Sequence, residues 1–204
     1  MPTRAIKDSL FVGHATLMTF VWLVAVPLGV AVAMFGRQHN WPWWPKAHMF
    51  IMITMVILPL TAAAICGFTS AGTIKVKPHS LTGTVLVLLA FCQILLGLGN
   101  HALFRYRQKR NTVPKHRPWH NTVHIWLGRL VLTLAVINMP LGMRIKRAGL
   151  GLYIGYAVVV LFWAIVFLGL VWTSTRKKVL KATENEKPPI QHEATLKEQP
   201  TEPK

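Results

Sequence analysis

The chain of 204 residues has six acidic residues, and their distribution is extreme. Asp8 stands alone near the start, while Glu184, Glu186, Glu193, Glu198 and Glu202 crowd the end, so positions 9 to 183 hold no carboxylate. That excludes a glycosidase-type carboxylate pair, a Ser-His-Asp triad in this stretch and any proton relay built on Asp or Glu. Cysteine is equally scarce. Cys66 and Cys92 cannot make a disulfide framework, and the C-x-x-C-H motif of covalent haem attachment is missing. Charged residues make up 14% of the chain, against about 25% in an ordinary soluble domain, so a cytosolic globule is not expected.

What is present is apolar and basic. Hydrophobic residues are 52% of the total, and 23 Lys and Arg face 6 Asp and Glu for a formal charge of +17. Such an excess can signal nucleic-acid binding, but the order of residues speaks for a membrane and against nucleic acid. Five segments lack Asp, Glu and Lys, at about Leu10–Phe35, Ala47–Phe68, His79–Phe104, Trp119–Met143 and Ala148–Trp172. A helix of about 20 residues crosses a hydrocarbon core of about 30 Å, so each is long enough to span. The expected fold is all-α, an integral membrane bundle of five transmembrane helices whose first four form a four-helix core. Residues 1–9 are then a short N-terminal segment, 10–143 the four-helix core, 148–172 the fifth helix, and 173–204 a polar, basic, disordered tail. No internal repeat of fixed period is evident. The first span is too long for a signal-peptide core and is read as a retained helix.

With five crossings the termini lie on opposite sides. The side of the N-terminus, side A, carries seven Lys and Arg, and the side-B loops carry eight. The cluster Arg176, Lys177, Lys178 and Lys181 at the end of the last span tips the balance, placing side B in the cytosol and the N-terminus on the exoplasmic face.

Ionisable residues inside membrane spans are rare. Of nine histidines, His14, His48, His79 and His124 each lie near the start of one of four consecutive helices. Successive helices run in opposite directions, so His14 and His79 approach side A while His48 and His124 approach side B. Two imidazole pairs on two faces suit two bis-histidine irons, each with both axial positions filled. Without attachment cysteines, the cofactor is expected to be two non-covalent haem b groups. Gly83 and Gly128, each four residues after a histidine, are expected to let a flat macrocycle approach the backbone, the alternative being plain helix packing. His120 competes with His124 but lies nearer the headgroups, and His39, His101 and His116 fall in or beside polar loops. Arg129, the one full charge inside a span, is a candidate partner for a haem propionate or a snorkelling side chain. Arg37 and Lys46 beside the side-B pair, and Lys75 and Lys77 beside the side-A pair, are candidates for attracting anionic substrates, the alternative being ordinary interfacial cations.

These residues carry a family resemblance. His14 with Trp22 and Pro27-Leu-Gly29, Trp44 with His48, His79 with Gly83, Gln93 and Gly97, and His124 with Gly128-Arg129, Asn138 and Gly142 resemble the eukaryotic cytochrome b561 family over about residues 10 to 143. In particular they resemble the membrane module that often follows a DOMON domain. The resemblance implies transmembrane electron transfer from cytosolic ascorbate or another reductant to an exoplasmic acceptor, such as a ferric chelate or monodehydroascorbate, and a transmembrane oxidoreductase activity. Two features depart from it. No DOMON domain is expected ahead of the first span, and five helices are one short of the six-helix ascorbate-using members. Expected partners are membrane lipid and small-molecule redox partners, and a homodimer is compatible with the reading. The competing class is a haem-free transporter or assembly scaffold. A docking role for the basic stretch from Arg105 to Arg117, toward an acidic protein or anionic lipid, is a third.

Overall fold

The computed structural model describes residues 3–72 and 77–186. Its helices long and apolar enough to cross a membrane are α1 (Arg4–Gln38), α2 (Trp44–Ala71), α3 (Pro78–Lys109) and α4 (Trp119–Ile145), with α5 (Leu150–Glu186). Among the described residues there is no strand. Local chemistry sets the ends. The Thr3 hydroxyl accepts from the Ile6 amide at the start of α1, and Pro45 and Pro78 stand in the first turns of α2 and α3, where a missing N–H costs nothing. Gly72, at φ 72°, terminates α2 in the left-handed conformation that a side chain would strain.

The first four helices form two antiparallel hairpins, α1 along α2 and α3 along α4. Between them lies an apolar core of Val21, Trp22 and Ala25 from α1, Val56 and Leu60 from α2, Leu86 and Ala90 from α3, and Val131 and Ala135 from α4. Outward-facing apolar residues are extensively exposed, Leu95 and Leu168 each to 69%, as lipid-facing surface requires.

Two helices depart from α geometry. α1 widens to a π-helix over Val21–Ala25 and α2 over Ile51–Ile57, in each case just before a proline, Pro27 or Pro59. A π-turn accommodates one extra residue and relieves the clash between the proline ring and the preceding turn.

Prolines also explain how α5 is attached. Pro27 cannot donate to the carbonyl of Leu23, four residues earlier, and the Trp163 indole of α5 donates to that oxygen at 2.7 Å. Pro140 in α4 likewise leaves the carbonyl of Val136 without its helical donor, and the Tyr156 hydroxyl of α5 fills the place. Hydrocarbon offers no water for a freed carbonyl, so a side chain from a neighbouring helix is the available donor. Gln38 adds a third tie, donating from Nε2 to Leu170 O at 2.8 Å and to Thr173 Oγ1 at 2.9 Å.

Three boundaries differ from expectation. α1 starts at Arg4, so most of the N-terminal segment is helical. α3 continues to Lys109, which puts Arg105, Arg107 and Lys109 on a helix. α5 runs past Trp172 to Glu186, so the first part of the expected tail is helical too; residues 187–204 lie outside the described residues. Lys and Glu beyond the span favour a helix, which Arg176 extends while stacking over Trp172.

Candidate functional site: two histidine pairs

Each of the four in-span histidines is held by the other helix of its own hairpin. His14 on α1 donates from Nδ1 to Ala63 O on α2 at 2.8 Å. His48 on α2 donates in return to Gly29 O on α1 at 2.8 Å, and His79 on α3 donates to Asn138 O on α4 at 3.1 Å. A carbonyl only accepts, so Nδ1 carries the proton in all three and Nε2 is left as a bare lone pair. That is the tautomer a metal-ligating histidine needs, with its second nitrogen fixed by an outer acceptor. His124 is held differently. Its Nδ1 is buried without a partner, and its main-chain carbonyl accepts from Gln93 Nε2 at 2.6 Å.

Across the hairpins, the His14 and His79 ring centroids are 6.1 Å apart with planes at 86°. Two imidazoles bonded to one metal from opposite sides, at about 2 Å each, have ring centres about 6 Å apart. The donor type, the tautomer and the separation therefore all fit a bis-imidazole haem. No group of three or more His, Cys, Asp or Glu converges among the described residues, so the clusters are pairs and do not form a polydentate metal cage. Along α1, the side-A residue His14 and the side-B contact Gly29 are separated by about 20 Å of helix, and the apolar core lies between them.

Glycines position the rings, but not the glycines expected. A Cβ on Gly67 would lie 2.6 Å from His14 Nδ1, one on Gly142 2.7 Å from His79 Cε1, and one on Gly97 3.1 Å from His124 Cε1. Each is on the neighbouring helix. A Cβ on Gly83 would instead lie 3.3 Å from Asn138 Nδ2, and one on Gly128 2.8 Å from Gln93 Nε2, which is helix packing. At Gly83 and Gly128 the close neighbour is a partner amide, which matches the helix-packing alternative.

A repeat underlies these contacts. Four, fourteen and eighteen positions after His79 come Gly83, Gln93 and Gly97, and the same steps after His124 reach Gly128, Asn138 and Gly142. In this antiparallel pair each histidine meets the partner's last glycine, and each amide meets the partner's first. The α1–α2 hairpin follows the same scheme with one residue more. His48 bonds Gly29, fifteen positions after His14, while His14 bonds Ala63 and packs on Gly67, fifteen and nineteen after His48. The π-turns take up the additional residue.

The remaining candidates are scattered. Arg129 is exposed and its guanidinium sits 4.6 Å over Trp126, itself 62% exposed. Arg37 and Lys46 are exposed at the side-B ends of α1 and α2, and Lys77 is exposed just before α3. Lys75 lies outside the described residues. His120 pairs through Nδ1 with Asn100 Oδ1, and His39 bonds Phe35 O on its own helix. On side A, Lys146 meets Asp8 at 3.6 Å.

Among known proteins, the sequence is 29% identical over 160 residues to the cytochrome b561 and DOMON domain-containing proteins At3g07570 and At3g61750 of Arabidopsis thaliana. A third such protein of that plant, At3g59070, is 25% identical over 154 residues. The chain is thus similar to cytochrome b561 and DOMON domain-containing proteins. The aligned region takes in 77%, 77% and 72% of this chain. These b561 relatives are much longer, and the chain spans only 40%, 37% and 30% of their length. No family model matches it, and no solved structure does.

Proposed function

We propose that the chain passes single electrons across a membrane with two non-covalent b-type haems, His14 and His79 holding one and His48 and His124 the other. The relationship to cytochrome b561 proteins supports the haem. The observation that carries the ligand assignment is the His14–His79 pair, with rings 6.1 Å apart and both Nδ1 atoms tied to carbonyls. Held by such histidine pairs, a b-type haem would supply one-electron exchange.

The protein's own residues do three things. The carbonyls of Ala63, Gly29 and Asn138 orient the imidazoles and raise their donor strength. Gly67, Gly97 and Gly142 let the rings lie against a neighbouring backbone. The plug of Trp22, Val56, Leu60, Leu86 and Val131 excludes water between the two pairs, leaving the groups on either side to carry charge.

Side B is read as cytosolic from its juxtamembrane cations, with the N-terminus exoplasmic. An anionic reductant such as ascorbate is then drawn to Arg37 and Lys46, and an anionic acceptor such as a ferric chelate or monodehydroascorbate to Lys75 and Lys77. Outward movement of one charge gains about 2.3 kcal/mol per 100 mV of inside-negative potential.

The test is a pigment assay with redox spectroscopy on the purified protein. Wild type should hold two haems per chain, His14→Ala and His79→Ala should each lose the same spectral component, and His48→Ala and His124→Ala the other. A colourless, correctly inserted protein would overturn the reading in favour of a transporter or scaffold. Loss of one common component in His14→Ala and His48→Ala would overturn the pairing. Ascorbate offered to either face of oriented vesicles then identifies the donor side.

A further inference from the structure

The two amides of the repeat are not explained by holding a haem or by packing alone. Gln93 and Asn138 occupy the same place in α3 and α4, fourteen positions after a histidine, and each presses its side-chain nitrogen against the first glycine of the other helix. Each also leaves its side-chain oxygen, Gln93 Oε1 or Asn138 Oδ1, buried with no donor. An unpaired buried oxygen is unfavourable, and leucine would fill either place without that cost.

We propose that Gln93 and Asn138 are equivalent positioning residues, each tuning the histidine of the helix it touches: Gln93 for His124, and Asn138 for His79. The inference rests on those histidines being haem ligands. Gln93 reaches His124 directly, donating to its carbonyl at 2.6 Å. This clasp matters most there, because the His124 Nδ1 lacks the carbonyl acceptor that fixes the other three rings. Asn138 has a shorter side chain, and its main chain already anchors His79. Its amide therefore adjusts the height of α4 against Gly83, a weaker lever. A shift in the orientation or donor strength of an axial imidazole changes the relative stability of the oxidised and reduced metal. The amides thus set the two centres separately, one per face.

The experiment is a redox titration with low-spin EPR on the full-length chain carrying Gln93→Leu or Asn138→Leu. His124→Ala and His79→Ala identify which signal belongs to which centre. Gln93→Leu should shift the midpoint and the EPR signal of the centre that His124→Ala removes, leaving the other in place. Asn138→Leu should do the converse with a smaller shift. Since asparagine serves on α4, Gln93→Asn should restore values closer to wild type than Gln93→Leu, and this variant also serves if the leucine protein does not fold. Unchanged midpoints in both leucine variants, or both centres shifting together in each, would overturn the inference. If wild type holds no haem, or the histidine variants do not separate two centres, the ligand assignment itself fails.

Discussion

The α1–α2 and α3–α4 hairpins seat their histidines by one rule but differ by one residue. In α3–α4 the spacing from a histidine to the carbonyl level that holds its neighbour is fourteen; in α1–α2 it is fifteen, and both helices of that pair contain a π-turn. The filling differs as well. Where Gln93 presses on Gly128, the other hairpin sets Met52 against Gly29, with Met52 Cε only 2.5 Å from where a Cβ would lie. The comparison teaches that the conserved quantity is height along the bundle, not residue count. A π-turn lets the backbone absorb an insertion while the rings stay level.

Removing single residues strains this comparison hardest. Deleting Leu88, a lipid-facing residue of α3, leaves no slack and turns everything beyond it by about 100°. Haem content should fall by roughly half or more, because Gln93 and Gly97 leave the face that meets His124. Deleting Val24 from the π-turn of α1 should convert it to α-helix with Gly29 at the correct height. Two haems retained per chain is the expected outcome, measured by pigment assay; equal loss in both deletions would remove the register argument.

Adding a methyl group strikes the next largest blow. Gly67→Ala and Gly142→Ala place a Cβ within 2.6 and 2.7 Å of the His14 and His79 rings, and both act on side A. Each should weaken retention of that one haem about tenfold, or about 1.4 kcal/mol, read by competition with a haem-scavenging protein. Gly99→Ala, where a Cβ meets nothing within 4 Å, should leave retention unchanged.

The smallest expected effect tests whether α5 treats the two hairpins alike. Trp163→Phe frees the Leu23 carbonyl on α1, and Tyr156→Phe frees the Val136 carbonyl on α4. Each should cost about 1 kcal/mol of stability, seen as a lower thermal midpoint, while the haem spectrum stays as in wild type. A spectral change without a change in midpoint would contradict the separation of α5 from the haem core.

Much of the architecture was legible from residue order. Long runs without Asp, Glu and Lys have few solutions other than membrane helices, and antiparallel alternation alone puts His14 beside His79, where the structure brings their rings together. The site was harder to read in three places. Glycine four positions from a histidine suggested a cradle, yet which helix a glycine faces depends on the partner's register, which a single sequence does not state. The repeat was hidden because it survives at only four positions in α3 and α4, and in α1 and α2 it is offset by the inserted residue. Arg129 was singled out by its charge, while its contact with the Trp126 ring three positions away on the same helix is a side-chain pairing that charge alone does not announce.

The two carbonyls opened by Pro27 and Pro140 also bear on biogenesis. The helix that closes them emerges from the ribosome only after the four histidine-bearing helices, which can already be threaded into the bilayer. Until then each open oxygen sits in lipid with its ordinary donor missing, at a cost of up to several kcal/mol. A chain truncated after Ile145 would carry both defects permanently, giving quality-control proteases a substrate that differs from the finished protein at two oxygen atoms.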